Sequence, residues 1–272
     1  MTDQHIRAAR FRALHTPGTP LVLVNAWDAA SARIVEAAGA HAVATTSAGV
    51  AWSLGAPDGD VLARDLATAL VRRVVDGVSV PVTADIEAGY GTTPDEVGTT
   101  VRAVLAAGAV GVNIEDGLAD GTSALRDVAA QCARLAAART AADEVGVALY
   151  VNARIDTFLR GLGGLAETVS RATAYLAAGA DGIFVPGLLD PETIATLVAE
   201  VPAPVNILAG PGAPSVPELA KLGVARVSLG SSVAEAAYGV ARRAAEEAFG
   251  DGTYHALADA LDYGSINALM RR

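Results

Sequence analysis

The chain has 272 residues, of which 52% are hydrophobic and 18% are charged, and its net charge is -10. This length and apolar content suit one large α/β barrel, so we expect a single domain over residues 1–272. The negative charge excludes a nucleic-acid partner, because such partners are bound through clustered Lys and Arg side chains. No apolar run approaches the roughly 20 residues of a membrane span, and the N-terminus lacks a secretory signal pattern. We therefore expect a cytoplasmic protein that binds neither nucleic acid nor membranes.

Short β-branched runs alternate with longer Ala-rich segments of helical period along the whole chain. This alternation is typical of a parallel (β/α)8 barrel of the TIM type. The predicted strands are Leu21–Asn25, Ala42–Thr46, Pro81–Asp85, Val110–Glu115, Ala148–Asn152, Gly182–Val185, Val205–Leu208 and Arg226–Leu229. Three predicted helices end in Ala-Ala-Gly-Ala, where Gly39, Gly108 and Gly179 supply the left-handed residue that ends a helix.

Two further helices are predicted after the eighth strand, over Ser231–Phe249 and Tyr254–Met270. A (β/α)8 barrel needs only one helix there. The extra C-terminal helix would therefore be available to pack on a neighbouring subunit.

Carboxylates follow the third and fourth predicted strands, in Asp85-Ile86-Glu87 and in Asn113-Ile114-Glu115-Asp116. In a parallel barrel these strand ends share one mouth, where active sites lie. Carboxylates forced together need a cation, and oxygen ligands without His or Cys suit Mg2+ or Mn2+. Because Mg2+ keeps several of its waters, we expect Asp85 to bind it directly and Glu87 and Glu115 to hold those waters. The alternative is that these acids cap helices or pair with arginines such as Arg154.

Two other strand ends carry candidate substrate-binding groups. Arg154 is suited to a bidentate grip on a substrate carboxylate, or else it forms a structural ion pair with Glu115 or Asp156. The segment from Thr45 to Gly49 offers hydroxyls and backbone N–H groups that would cradle a carboxylate or an enolate oxygen, unless it is an ordinary turn.

Lysine and histidine are missing from the strand ends. The only lysine, Lys221, follows Pro217 in a short helical segment, which excludes a Schiff-base mechanism. The histidines lie near the termini or at a strand start, at positions 5, 15, 41 and 255. An acid, a tyrosine, metal-bound water or the substrate must therefore move the protons.

Taken together, these residues resemble the isocitrate lyase and phosphoenolpyruvate mutase superfamily from about Leu21 to Gly230. The resemblance is carried by Val24-Asn25-Ala26-Trp27-Asp28 with Ser31-Ala32-Arg33, by Thr45-Thr46-Ser47-Ala48-Gly49, by Asp58-Gly59, by Ala84-Asp85-Ile86-Glu87-Ala88-Gly89-Tyr90-Gly91, by Gly111-Val112-Asn113-Ile114-Glu115-Asp116, by Asn152-Ala153-Arg154-Ile155-Asp156 and by Gly179-Ala180-Asp181-Gly182-Ile183-Phe184-Val185-Pro186.

The resemblance implies a Mg2+ site in which Asp85 is the direct ligand and Glu87 and Glu115 act through water. It implies that Asp58 lies close to the reacting centre and that Ser47, Ala48 and Arg154 grip a pyruvate-like unit. The candidate catalytic residues are thus Asp58, Tyr90 and Arg154, and the further candidate substrate contacts are Trp27, Gly49, Asn113 and Asn206. Members of the superfamily often form tetramers that exchange a late helix, so we expect a homodimer or homotetramer.

One segment departs from the superfamily pattern. The isocitrate lyase branch carries Lys-Lys-Cys-Gly-His on the loop after the fourth strand, and the mutase branch carries Lys and Asn there. This chain reads Gly117-Leu118-Ala119-Asp120-Gly121-Thr122-Ser123. The usual proton donor or gate is missing, and Cys132 lies too far along the next helix to replace the loop thiol.

The leading hypothesis is a Mg2+-dependent carbon–carbon lyase that acts through a metal-stabilised enolate. Its substrate would be a small 2-oxo or 2-hydroxy di- or tricarboxylate resembling 2-methylisocitrate or oxaloacetate, and Tyr90, Asp58 or a loop residue would supply the proton. A second hypothesis is a phosphonate mutase or hydrolase, with phosphate at Gly230-Ser231-Ser232, a segment that is otherwise an ordinary helix cap. A non-catalytic 2-oxo acid binding protein and an unrelated phosphate-binding barrel are the remaining alternatives.

Overall fold

The structure is a computed structural model that describes residues 2–118 and 122–271. Parallel strands form a nearly closed barrel in the order β1-β9-β8-β7-β6-β5-β4-β3-β2, which confirms the predicted α/β-barrel class. The strands are β1 (Leu21–Leu23), β2 (Asn25–Ala26), β3 (Val43–Thr45), β4 (Val82–Asp85), β5 (Gly111–Glu115), β6 (Tyr150–Arg154), β7 (Gly182–Val185), β8 (Val205–Leu208) and β9 (Arg226–Ser228).

Helices alternate with these strands along the chain. They are α1 (Asp3–Ala13), α2 (Ala29–Ala37), α3 (Ser47–Ser53), α4 (Arg64–Gly77), α5 (Pro94–Ala106), α6 (Val128–Val145), α7 (Thr157–Arg160), α8 (Gly164–Ala177), α9 (Pro191–Glu200), α10 (Val216–Lys221), α11 (Ser232–Phe249) and α12 (Tyr263–Met270). The backbone angle φ is +101° at Gly39, +94° at Gly108 and +106° at Gly179. These three glycines therefore end their helices in the left-handed conformation that the sequence predicts.

The first predicted strand is divided into two short strands, between which lies Val24. Strand β1 pairs with β9, and β2 pairs with β3. The Asn25 side chain spans the division: its Oδ1 accepts from the backbone N of Leu229 and Gly230 at 3.1 and 2.9 Å, and its Nδ2 donates to Thr45 O at 2.8 Å. The Asn25 side chain thus makes hydrogen bonds that backbone groups would make in a continuous strand. Hydrophobic periodicity alone does not predict this division of the strand.

Two other sequence predictions were wrong in their bounds. The strand predicted at Ala148–Asn152 is Tyr150–Arg154, so Arg154 is the last residue of β6. The helix predicted at Tyr254–Met270 is α-helical only over Tyr263–Met270, after a 3-10 turn at His255–Leu257. The Asp262 side chain accepts from Ser265 N and caps a new helix start, which divides the segment.

Helix α1, which the sequence analysis did not predict, closes the amino end of the barrel. Phe11 is fully buried and meets the rings of His15 and Tyr150 edge-on. Gln4 Nε2 donates to Leu105 O and Ala109 O at 2.8 and 3.0 Å, which ties α1 to the end of α5. With the amino end closed, a ligand enters the barrel from the carboxyl ends of the strands.

Helix α11 is buried only in its first turn. Ala234 is buried, whereas Tyr238, Val240 and Phe249 stay exposed. An apolar groove of about 610 Å3, lined by Leu14, Pro20, Val22, Val24, Ile34, Val35 and Val233 among others, lies between the end of α1, β1 and α2. Within the described part of the chain, no helix is long and apolar enough to cross a membrane.

Candidate active site

A cavity of about 200 Å3 lies at the carboxyl ends of the barrel strands. It is smaller than the apolar groove beside α2, but six of the predicted site residues line it: Ser47, Ala48, Asp58, Asp85, Asn113 and Arg154. Its polar lining residues are Asn25, Thr46, Ser47, Asp58, Asp85, Asn113, Arg154, Ser228 and Ser231, and its apolar lining residues are Ala48, Leu159, Phe184, Pro186 and Leu208. The volume is below the range of about 300–1,000 Å3 that is usual for drug-sized ligands. The cavity therefore suits a small ligand that has both polar and apolar groups.

Asp85 lies at the end of β4 and lines the cavity. Its backbone N donates to Thr45 Oγ1 at 2.9 Å, and its Oδ1 accepts from Glu87 N at 3.2 Å. Burial raises the pKa of Asp85; Arg154 and Arg226 oppose this effect, whereas the neighbouring Asp58 adds to it. The carboxylate is thus held beside another acid in a setting that disfavours its charge unless a cation is bound.

Glu87 lies behind Asp58 and does not line the cavity. Its Oε2 accepts from Gly59 N at 2.9 Å and from Asp60 N, so the side chain holds the turn that carries Asp58. Its Oε1 is buried and has no hydrogen-bond partner among the described residues. Burial, followed by the charges of Asp58, Asp60 and Asp85, raises the pKa of Glu87 to about 7, although the Asp60 N–H opposes this.

Arg154 joins Glu115 to Asp156. Its Nη1 lies 2.6 Å from Glu115 Oε2, and its Nε and Nη2 donate to Asp156 Oδ1 and Oδ2 at 2.7 and 3.1 Å. Burial raises the pKa of Glu115 even though Arg154 opposes it. A guanidinium has five N–H donors, so two remain for a ligand in the cavity that Arg154 lines. The ion-pair and ligand-binding interpretations of Arg154 are therefore compatible.

The segment after β3 is the start of helix α3 rather than an ordinary turn. Thr46 is the residue before the helix, and Ser47 and Ala48 are its first two residues and line the cavity. The first N–H groups of a helix have no partner within it and carry partial positive charge. These N–H groups lie where the sequence analysis placed a cradle for a carboxylate oxygen, and their binding of such an oxygen stays a prediction.

Four of the predicted contact residues do not reach the cavity. A Cβ atom added to Gly49 would lie 2.8 Å from Trp27 Cβ and from Thr46 Cγ2, so Gly49 packs closely against Trp27, and neither residue lines the cavity. Asn206 lies below Ser228, whose hydroxyl donates to Asn206 Oδ1 at 3.2 Å. Tyr90 is not among the residues that line the cavity, and burial together with Glu87 and Asp85 raises the pKa of its phenol.

Several cavity residues were missed by the sequence analysis. They include Leu208 and Ser228, the last residues of β8 and β9, and Asn25, the first residue of β2. Leu208 and Ser228 come two positions after Asn206 and Arg226, and residues two apart on a strand face the same side. This two-residue spacing could be recognised in the sequence. Leucine and serine side chains, however, do not by themselves indicate a binding site.

The residues near Asp85 fit a divalent cation that keeps most of its waters. Within residues 2–118 and 122–271, no three His, Cys, Asp or Glu side chains converge closely enough to bind a metal directly. Mg2+ is commonly held by only one or two carboxylates, with waters at its other positions. Asp85 facing the cavity, an unpartnered Glu87 Oε1 and oxygen-only donors match that pattern.

The loop after β5 is closed at its base. Residues 119–121, part of the loop expected to lack a proton donor, lie outside the described residues. Leu118 N donates to Ala124 O at 3.0 Å, and Arg160 Nη1 donates to the carbonyl oxygens of Leu118 and Ala124 at 3.1 and 3.2 Å. A Cβ atom at Gly117 would meet the Arg160 guanidinium and the Asp156 carboxylate, so a larger residue there would displace these side chains.

Replacing Glu87 by Gln is expected to stabilise the metal-free protein above pH 7. The pKa of Glu87 rises from 4.5 to about 7 on folding, a difference of roughly 3 kcal/mol in free energy. Because its pKa is higher in the folded protein, Glu87 binds its proton more tightly there than in the unfolded chain. The resulting stabilisation of the fold is fully present below pH 4.5 and is lost as the pH rises through 7. Glu87→Gln removes that loss while it keeps an acceptor for Gly59 N.

The measurement is urea unfolding at pH 5 and pH 8 in EDTA, with exposed Glu200→Gln as the matched control. The wild-type free energy of unfolding should fall more between the two pH values than that of Glu87→Gln. If the free energy of unfolding had the same pH dependence in both proteins, the raised pKa of Glu87 would be contradicted.

The fold and the cavity define an α/β-barrel protein with an acidic site for a small ligand at the carboxyl ends of its strands. The chain belongs to the phosphoenolpyruvate phosphomutase family, whose model matches residues 11–249. This family lies within the isocitrate lyase and phosphoenolpyruvate mutase superfamily, as the resemblance in the sequence predicted.

Relatives agree with this assignment. An uncharacterized protein of Mycobacterium tuberculosis (strain H37Rv) is 42% identical over 222 residues, which is 81% of each chain. The 2-methylisocitrate lyase of Escherichia coli K12 is 31% identical over 198 residues, or 71% of this chain and 64% of the relative.

Two solved structures extend the comparison. One, from Burkholderia cenocepacia J2315 and described only provisionally as a lyase/mutase, is 40% identical over 100% of this chain and 98% of its own, with a TM-score of 0.94. A phosphonopyruvate hydrolase in complex with oxalate and Mg2+ is 27% identical, covers 97% of this chain and 94% of its own, and has a TM-score of 0.84. The relatives of known activity thus include lyases and enzymes of phosphonate chemistry.

Proposed function

We propose that the protein is a Mg2+-dependent carbon–carbon lyase that releases a 2-oxo acid from a small 2-hydroxy or 2-oxo di- or tricarboxylate. The main observation that supports this proposal is that one cavity of about 200 Å3 is lined by Ser47, Asp58, Asp85 and Arg154. The 2-methylisocitrate lyase relative and the oxalate and Mg2+ in the phosphonopyruvate hydrolase structure support the same ligand chemistry.

Asp85 would hold the metal directly, and Glu87 and Glu115 would hold its waters. A bound Mg2+ would act as a Lewis acid that stabilises negative charge on the oxygens of the 2-oxo acid unit. The two free N–H groups of Arg154 and the first N–H groups of α3 would hold the carboxylate of that unit.

Asp58 is the residue best placed to move a proton. It lines the cavity, whereas Tyr90 does not. With a 2-hydroxy acid, Asp58 would accept the hydroxyl proton while the adjacent C–C bond breaks. The hydroxyl carbon becomes the 2-oxo group, the departing carbon keeps the electron pair, and a proton must then be delivered to it.

The apolar residues in the cavity lining favour a carbon substituent over a second strongly charged group. Leu159, Phe184 and Leu208 line the cavity together with the carboxylates. Phosphonate chemistry is less well supported at the start of α11, because Ser231 Oγ donates to Glu235 Oε1 at 2.6 Å and Gly230 N donates to Asn25. An acid beside the expected phosphate position would repel it.

The test is 2-oxo acid release from oxaloacetate, isocitrate, 2-methylisocitrate, other 2-alkylmalates and phosphonopyruvate, each with Mg2+ and with EDTA. Release from a carboxylate substrate that EDTA abolishes would support the proposal. Release from phosphonopyruvate alone would favour the phosphonate hypothesis. Oxalate binding without turnover of any substrate would favour a binding protein.

We also propose that the protein assembles by exchange of α11 between subunits. The exposed length of α11 and the apolar groove between α1, β1 and α2 are complementary features of one chain. A second copy's α11 would cover the groove and bury residues such as Val240, whose side chain is otherwise in water.

Val240→Glu is expected to lower the oligomeric state, because it would place a charge inside that contact. Light scattering after gel filtration measures the mass. Leu66→Glu, at an exposed apolar residue of α4, is the matched control. A monomeric wild-type protein, or an unchanged mass for Val240→Glu, would overturn the proposed exchange.

A further inference from the structure

A group of polar side chains fills the barrel interior directly below the cavity. It consists of Asn113, Asn152, Asn206, Arg226 and Ser228, all of which are at most 3% exposed. Barrel interiors of this type are usually filled by branched apolar residues. A buried polar group is costly unless it is hydrogen-bonded, so this set calls for an explanation.

Asn113 is held by two donors on the same oxygen. Arg226 Nη2 donates to Asn113 Oδ1 at 3.2 Å, and Asn152 Nδ2 donates to that atom at 2.9 Å. A guanidinium has no acceptor, so the Asn113 atom that faces Arg226 must be its oxygen. Because Asn113 also lines the cavity, its NH2 group is the part left for a ligand.

Arg226 carries a positive charge without a carboxylate partner among the described residues. Its Nε donates to Ser228 Oγ at 3.3 Å, and its Nη1 has no hydrogen-bond partner there. Burial lowers the pKa of Arg226 to about 10, so the side chain remains protonated at neutral pH. A buried charge of this kind is unfavourable unless something compensates it.

We propose that Arg226 is a positioning residue that fixes the Asn113 amide with its NH2 group toward the cavity. This donor, backed by the Arg226 charge, selects a ligand with an oxyanion, such as a carboxylate or enolate oxygen, at that point. The inference deepens the proposed function and rests on it for the identity of the ligand. If the amide were reversed, its oxygen would face the ligand oxyanion and repel it.

A double-mutant cycle on oxalate binding in the presence of Mg2+ tests the coupling. Arg226→Met and Asn113→Ala should each weaken binding about tenfold, the effect of losing one charge-assisted hydrogen bond. The double variant should bind no more weakly than the worse single variant, because Arg226 acts through Asn113. Effects that multiply in the double variant would overturn the proposal.

Two further variants separate positioning from a general loss of packing. Arg226→Lys keeps a donor and a charge and should recover part of the affinity. Arg139→Met removes a largely buried arginine at the opposite end of the barrel, and it should leave oxalate binding unchanged.

A second measurement does not depend on oxalate. The side-chain NH2 signals of Asn113, identified by their loss in Asn113→Ala, should shift in the 1H–15N spectrum of Arg226→Met and should change less in Arg226→Lys. Unchanged Asn113 signals in Arg226→Met would overturn the positioning role. If the wild-type protein fails to bind oxalate with Mg2+, the proposed function fails, while these signals still decide whether Arg226 orients Asn113.

Discussion

Asp85→Asn should abolish turnover and leave the fold intact. Asp85 is the one predicted metal ligand that lines the cavity, and loss of a Lewis-acid contribution of several kcal/mol corresponds to about a thousandfold in kcat/KM. Because burial raises the pKa of this carboxyl group, removing its charge should not lower the stability of the metal-free protein. Activity and stability are therefore expected to change independently.

The measurement is kcat/KM on the active substrate together with urea unfolding in EDTA. Asp143→Asn makes the same substitution at an exposed position of α6 and should change neither quantity. Turnover by Asp85→Asn within about tenfold of wild type would be incompatible with a several-kcal/mol metal contribution through this residue. A large loss of stability would instead assign Asp85 a structural role.

Arg154→Met should lower both the free energy of unfolding and the affinity for carboxylates. The substitution leaves Glu115 and Asp156, which are 13% and 0% exposed at their side chains, without their shared partner. Breaking a buried ion pair from one side costs about 3–5 kcal/mol. We expect about 3 kcal/mol, the lower end, because Arg160 Nε remains 3.5 Å from Asp156 and Glu115 can take up a proton.

Arg154→Lys distinguishes the two roles of this arginine. A lysine keeps the charge and should recover part of the stability, but it lacks the planar fork that contacts two acids and a ligand together. Oxalate binding should therefore remain weak in Arg154→Lys while the free energy of unfolding partly returns. Full recovery of binding by lysine would show that charge alone holds the ligand.

The strand positions were predictable because alternation of β-branched runs with Ala-rich segments is a local property of the sequence. The gathering of Asp85 and Arg154 at one mouth followed from the rule that parallel strand ends meet, whereas the position of Asp58 was implied only by the resemblance to the superfamily. Glu87 lies two residues after Asp85, and the same rule placed it at the cavity. Its φ of +52° shows that it has left strand geometry, and its carboxylate instead holds the turn that carries Asp58.

Features that depend on distant contacts were not predictable. Helix α1 gave no clear signal, since its role is set by Phe11 packing under β6. The exposure of α11 depends on what the rest of the barrel leaves uncovered. The role of Arg226 required knowing which atom of Asn113 faces inward, and that is fixed by hydrogen bonds between β5 and β9 rather than by spacing in the sequence.

The most direct test of the Asp85 site is calorimetric titration of the wild-type protein with oxalate, once with Mg2+ and once with EDTA. Oxalate presents the two adjacent oxygens of a 2-oxo acid enolate, so the experiment needs no knowledge of the substrate. We predict binding with Mg2+ that is lost in EDTA and in Asp85→Asn. Binding that persists in EDTA, or no binding in either condition, would contradict a metal-centred site for 2-oxo acids.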